Sequence, residues 1–240
     1  MNRRYCFGIA SVLYFLCFIT ACGLLANAFG IMNFSHSVKI ISDAGLVLSG
    51  YAASFFYCLY LGGKKACPFM KKFLYFLFGF YILMLVDFTL IDDGFGRNIF
   101  NFLSWNKGAF REYINESTNL VPFATVKLFI NGYFNDKLSF GDTVINLFGN
   151  FLAFMPLPLF VCMFFKKFKS GLKIFIIVLI SVIAIELLQF LFLTGSSDID
   201  DVILNTSGAM LFYYFINEKR ISKGISKLTF GVWNNEECKN

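Results

Sequence analysis

A carboxylate inside an apolar run costs several kcal/mol unless it is protonated, paired or facing water. Glu186 stands in such a run, Leu172 to Leu193. Gln189 follows three residues later and shares its helical face. Asp142, Asn146 and Asn150 recur at a spacing of four, and Asp198, Asp201, Asn205 and Gly208 at spacings of three, four and three, so each set lines one side of a helix. With a rise of about 1.5 Å per residue, Glu186 lies roughly 10 Å below the end of its segment, and Asn150 reaches the same level in its own. Together with Asn119, the residues Asn146, Asn150, Glu186, Gln189, Asp198, Asp201 and Asn205 are expected to line one polar pocket. Glu186 is the candidate catalytic acid or base, and Asp198, Asp200 and Asp201 are candidate oxygen ligands for a divalent cation. The plainer alternative is a structural lock, in which amides act as glue worth about 0.6 kcal/mol per contact and Asp198 and Asp200 cap a helix start. For Glu186 function is favoured, because Asn or Gln would make the same bond at lower desolvation cost.

The elements that must hold these residues are membrane helices. Of 240 residues, 58% are hydrophobic, 20% aromatic and only 15% charged, and the mean hydropathy is +0.67, outside the range of soluble domains. Six apolar segments approach the roughly 20 residues a span needs: Tyr5 to Phe29, Ala44 to Leu61, Phe73 to Ile91, Thr143 to Phe165, Leu172 to Leu193 and Val202 to Asn217. The fold class expected is all-α, a polytopic bundle of about six transmembrane helices. The first segment is too long for a signal-peptide core and is expected to stay. Met155-Pro156-Leu157-Pro158 should break the fourth span and free carbonyls in the pocket floor.

Basic residues sort by side. With both termini placed in the cytoplasm, 15 of the 21 Lys and Arg fall inside: Arg3, Arg4, Lys64, Lys65, Lys71, Lys72, Lys166, Lys167, Lys169, Lys173, Lys219, Arg220, Lys223, Lys227 and Lys239. The outer side keeps Lys39, Arg97, Lys107, Arg111, Lys127 and Lys137 against ten acidic residues, among them Asp93. The pI near 8.9 is thus an insertion signature, and the partners expected are membrane lipids, not nucleic acid. Cys6, Cys17, Cys22, Cys58 and Cys162 fall in spans and Cys67 and Cys238 on the inner side, so no disulfide framework is expected. The single histidine, His36, cannot build a multi-histidine metal site. No cofactor is implied.

Residues 1–91 form the first three helices, 92–142 an extracellular interfacial loop, 143–217 the last three helices and 218–240 a cytoplasmic tail. The loop is long and rich in Phe100, Phe102, Trp105, Phe110 and Tyr113, as in segments that lie in the membrane interface. Val121 to Ile130 reads as a short helix begun by Pro122 and capped by Asn119.

Ile185-Glu186-Leu187-Leu188-Gln189-Phe190, followed by Asp198-Ile199-Asp200-Asp201-Val202-Ile203-Leu204-Asn205-Thr206-Ser207-Gly208, resembles the E-x-x-Q and D-I-D-D-x-I-x-N-T-x-G signature of the VanZ-like membrane protein family. Asn119-Leu120-Val121-Pro122-Phe123 is similar to that family's N-L-x-P-F element, and Asn146 to Pro156 to its helix-four pattern, so the resemblance covers residues 119–217. Helices one to three lie outside it. Pro156-Leu157-Pro158 departs from the P-x-G of many relatives, and Gly195-Ser196-Ser197 lacks the basic residue many carry before the acidic run. The resemblance implies a cell-membrane, multi-pass protein of Gram-positive type, with a part in teicoplanin-type glycopeptide resistance or envelope physiology. It assigns no reaction.

Two functions follow. In the first, the pocket binds or modulates a cell-envelope lipid, a lipid-linked cell-wall precursor or a lipoglycopeptide. In the second, a membrane enzyme acts on such a lipid through Glu186 and an Asp-held cation. An ion-coupled transporter is disfavoured, since the inner halves of the spans carry no ionisable residues to continue a path. Oligomeric state is left open.

Overall fold

The computed structural model describes residues 2–92 and 97–234. Asp93, Cys238 and Lys239 therefore lie outside the described residues, as do the side chains of His36 and Asp142. The chain is an all-α membrane bundle. Among the described residues, five helical stretches are long and apolar enough to span: Arg3–Ala28, Val38–Leu61, Gly63–Ile91, Thr143–Phe164 and Gly171–Phe192. The chain divides into two compact units, Met1–Gly79 with Ser222–Asn240, and Phe80–Ile221.

In the first unit, α1 (Arg3–Ala28) and α2 (His36–Leu61) pack along a seam of small residues. Ala10, Ala53 and Cys58 are fully buried there, as expected where lipid gives helices no hydrophobic reason to associate and close backbone approach must do it. Hydroxyls add to the seam: Tyr14 Oη and Ser54 Oγ are 2.9 Å apart, and Cys17 Sγ and Ser49 Oγ 3.1 Å apart. α3 (Gly63–Val86) starts at once after α2, because Gly62 and Gly63, at φ +63° and +46°, complete the reversal between them. The lysine cluster read as a loop before Phe73 is thus helical, and Lys64, Lys65, Lys71 and Lys72 ride the first turns of α3. Cys67 in the same turns is disulfide-bonded, against expectation, whereas Cys6, Cys17, Cys22, Cys58 and Cys162 are free.

In the second unit, α3 widens into a π turn at Asp87–Ile91. A 3₁₀ turn at Ile99–Ser104 and α4 (Lys107–Ser117) follow, started by Asn98 and Asn106, whose side chains accept from Phe100 N and from Gly108 N and Ala109 N. β1 (Thr118–Asn119) leads to α5 (Ala124–Phe134). The fourth span is broken as its prolines dictate, into α6 (Phe140–Ala153) and α7 (Pro156–Phe164). One released carbonyl, that of Ala153, accepts Tyr81 Oη at 2.9 Å. α8 (Gly171–Phe192) is followed by β2 (Ser197–Asp198), which pairs in parallel with β1, and by α9 (Ile199–Asn217); α10 (Lys219–Leu228) comes next and falls mostly in the first unit.

α9 is the centre of this unit, touching α5, α6, α7 and α8. Its buried face includes Asp200, Asp201, Asn205, Gly208, Ala209 and Tyr213. At Gly208 the backbone of α6 comes so close that a Cβ would meet the Phe151 carbonyl oxygen. α9 begins at Ile199, three residues before the span read from Val202, because Asp198 caps it by accepting from Asp200 N at 2.8 Å.

Candidate functional site

The site is assembled where α8 ends and α9 begins. Leu193 adopts a left-handed conformation at φ +51° and closes α8, and Gly195 at φ +60° turns the chain toward β2. This places Glu186, one and a half turns before the end of α8, beneath the incoming strand. Its Oε2 accepts the Asp198 backbone N–H at 3.0 Å. Glu186 is buried but also lines a cleft of about 290 Å³ between α8 and α9. The cleft is largely apolar, with Leu120, Ile183, Leu187, Phe190, Ile199 and Val202, and its polar lining residues besides Glu186 are Thr118, Ser197 and Asp198.

The three aspartates go separate ways. Asp198 Oδ1 accepts Asn119 Nδ2 at 3.0 Å, which fastens β1 to β2 through side chains as well as backbone. Asp200 accepts backbone N–H groups from Phe123 at 2.5 Å, Thr125 at 2.8 Å and Val126 at 3.1 Å. Asp201 accepts Asn150 Nδ2 from α6. Their carboxylates thus serve a strand, a helix start and a neighbouring helix. Among the described residues no group of three or more His, Cys, Asp or Glu is placed to hold a metal ion, and the carboxylates of Asp198, Asp200 and Asp201 are each engaged by protein groups.

Asp200 also corrects the expected role of Asn119. α5 starts at Ala124, not Pro122, and its cap position, Phe123, is left-handed at φ +63° with no side chain able to accept. The orphan N–H groups of the first turn are satisfied from α9, by Asp200. Asn119 instead holds a turn, accepting from Val121 N at 3.0 Å and donating to Thr125 Oγ1 at 3.0 Å.

Gln189 is 2% exposed and donates through Nε2 to the Thr89 carbonyl at 2.9 Å, while its Oε1 has no partner among the described residues. Asn205 donates to the Asp201 carbonyl of its own helix, and its Oδ1 and the Thr206 hydroxyl likewise lack partners. Asn146 lies one turn before Asn150 on α6 and is exposed.

Sequence reasoning passed over the contacts that Arg97, Asn98, Asn101 and Tyr113 make with the end of α8. Arg97, from the outer segment, lies over the Gly195 turn, where a Cβ would collide with its guanidinium. Its Nε and Nη1 are buried without a hydrogen-bond partner among the described residues. Its charge acts on Glu186, Asp201 and Tyr113. The chain beside it is bound to the end of α8: Asn98 N donates to Thr194 Oγ1 at 2.6 Å, and Asn101 Nδ2 to the Leu193 carbonyl at 3.0 Å. Tyr113 Oη reaches the Thr194 carbonyl at 3.4 Å. Burial, reinforced by the Glu186 charge, pushes the Tyr113 phenol up to about 12, so it stays a proton donor at physiological pH. The available signal was Arg97 itself, a basic residue on the side that has few.

A family model described as VanZ/LLP1 matches residues 76–220, more than half of the 240-residue chain. The chain belongs to the VanZ/LLP1 family. The VanZ/LLP1 match is wider than the motif-based range of 119–217: it takes in the end of α3, Thr89 and Arg97, so the third helix is not outside the family region. No curated protein and no solved structure matches the chain.

Proposed function

We propose that this VanZ/LLP1 protein sits in the cell membrane and uses the cleft at Glu186 to bind a cell-envelope lipid or the lipid part of a lipoglycopeptide, so altering how drug and target meet in teicoplanin-type resistance. The observation that carries the reading is the composition of the cleft: a largely apolar lining, with Ile183, Leu187 and Phe190, that also includes Glu186 and Asp198. An amphiphile matches that composition, with acyl carbons against the apolar side chains and a polar head at the carboxyls. Asp200 and Asp201 hold the frame, and Glu186 and Asp198 both touch the frame and line the cleft.

Glu186→Gln keeps the size and one acceptor of the side chain and removes the charge. Expected is normal abundance in the membrane with lipid affinity reduced about tenfold, the scale of one charge-assisted hydrogen bond, and loss of any lipoglycopeptide phenotype. Loss of the protein itself would show that Glu186 belongs to the lock. Unaltered binding and susceptibility at normal abundance would refute the proposal.

A further inference from the structure

The stretch after α9 reads from the sequence as a cytoplasmic tail, yet its first part has a fixed structure. On α10, Lys219, Lys223 and Lys227 recur at a spacing of four, are all exposed and share one face with Arg220 beside them. Ile221, Ile225 and Leu228, at spacings of four and three, share the opposite face. The helix holds no acidic residue. After it, Phe230 and Gly231, at φ +51° and +82°, fold the chain back so that Val232 and Trp233 are buried. Trp233 Nε1 donates to Ser222 Oγ at 2.7 Å, which fastens the returning chain to α10.

The neighbours of α10 give its level along the bundle. Tyr51 Oη of α2 donates to the Leu228 carbonyl at 2.9 Å, and the rings of Phe55 and Phe230 are 5.3 Å apart. One residue before Tyr51, a Cβ at Gly50 would stand 3.8 Å from the ring of Phe73, the residue that follows Lys71 and Lys72 on α3. The end of α10 and the lysines of α3 therefore lie at similar levels on α2. Past that level, Tyr57 packs on Phe69 and Tyr60, at 4.8 and 5.9 Å between centroids, and Lys64 and Lys65 are exposed. Aromatic rings mixed with lysines are the composition of helix ends in the headgroup layer. A short helix with one basic and one apolar face is the kind that lies in that layer.

We propose that α10 and the lysine-bearing first turns of α3 form a docking surface for anionic phospholipid headgroups, with α10 lying in the interface and its lysines on the phosphates. Charge complementarity names the occupant, because a face of lysines with no acid among them gains most from a layer of negative charge. The inference does not rest on the cleft at Glu186.

The test uses the full chain carrying Trp105→Phe, which leaves Trp233, fastened to α10, as its one tryptophan. In vesicles of mixed phosphatidylcholine and phosphatidylglycerol, each lipid in turn is brominated on its acyl chains, and quenching of Trp233 reports which one gathers beside α10. Phosphatidylglycerol should be favoured at least about fivefold, the scale of one lysine near a charged surface. The preference should fade in salt of about 1 M, where charges are screened beyond roughly 3 Å. Lys223→Gln with Lys227→Gln should at least halve it, and Lys223→Arg with Lys227→Arg should keep it. Equal quenching by the two lipids, quenching by neither, or a preference that salt and the glutamines leave unmoved overturns the proposal. So does a loss as large in the arginine pair as in the glutamine pair, which would assign the preference to packing and not to charge. The lipid and salt comparison on the parent protein decides the matter even if the lysine variants fail to fold.

Discussion

Asp200 shows how much one side chain in this protein is asked to do. It is 1% exposed, and its two oxygens take three backbone N–H groups at the start of α5. Asp200→Asn would replace one of these acceptor oxygens with a donor facing N–H groups that also donate. A loss of about 1–3 kcal/mol is expected from the unsatisfied groups, read as a lower unfolding temperature of the purified protein and faster proteolytic cutting within Ala124–Phe134. Asp198→Asn should be milder, since only two bonds, both to Oδ1, depend on it.

Among the elements, the α6 and α9 pair carries the closest approach. Gly208→Ala drives a methyl into the Phe151 carbonyl, a backbone atom that cannot swing aside, whereas Gly149→Ala on α6 meets nothing within 4 Å. The first should lower thermal stability in detergent by about 1–3 kcal/mol and the second leave it unchanged or slightly raised by better helix propensity. Much of this layer was legible in the sequence. Glu186, Gln189 and Asn205 were placed by helical period, and the proline break in the fourth span by the missing donors. The helical start of α3 was hidden because hydropathy marks lysines as loop, although two glycines suffice to turn the chain. The pairing of Asp200 with α5 and the arrival of Arg97 were also hidden, since both join residues far apart in sequence and neither leaves a periodic trace.

At the scale of the molecule, the charge asymmetry fixes a testable orientation. In a cysteine-free background that folds, single cysteines at Leu103 and Lys223, both exposed, should report opposite faces. A membrane-impermeant thiol reagent added to intact cells should label position 103 nearly completely, and position 223 only after the membrane is opened. Reversal of that pattern would place Arg97 and the cleft on the inner leaflet and redirect any search for the ligand. The family match over residues 76–220 and the compact unit Phe80–Ile221 nearly coincide. The part of the chain shared with relatives is thus the part that holds Glu186, Arg97 and the aspartates.

The bond between Asp200 and α5 also has a direction in time. Its donor and acceptor residues are separated by 74 to 77 positions, and a ribosome adding about 5–20 residues per second needs roughly 4–15 s to cover that distance. Throughout that interval the nascent α5 has no carboxylate for its first turn. The surface helix therefore waits on the last hydrophobic segment to be made, and a chain halted before residue 200 would leave the translocon with α5 unfinished.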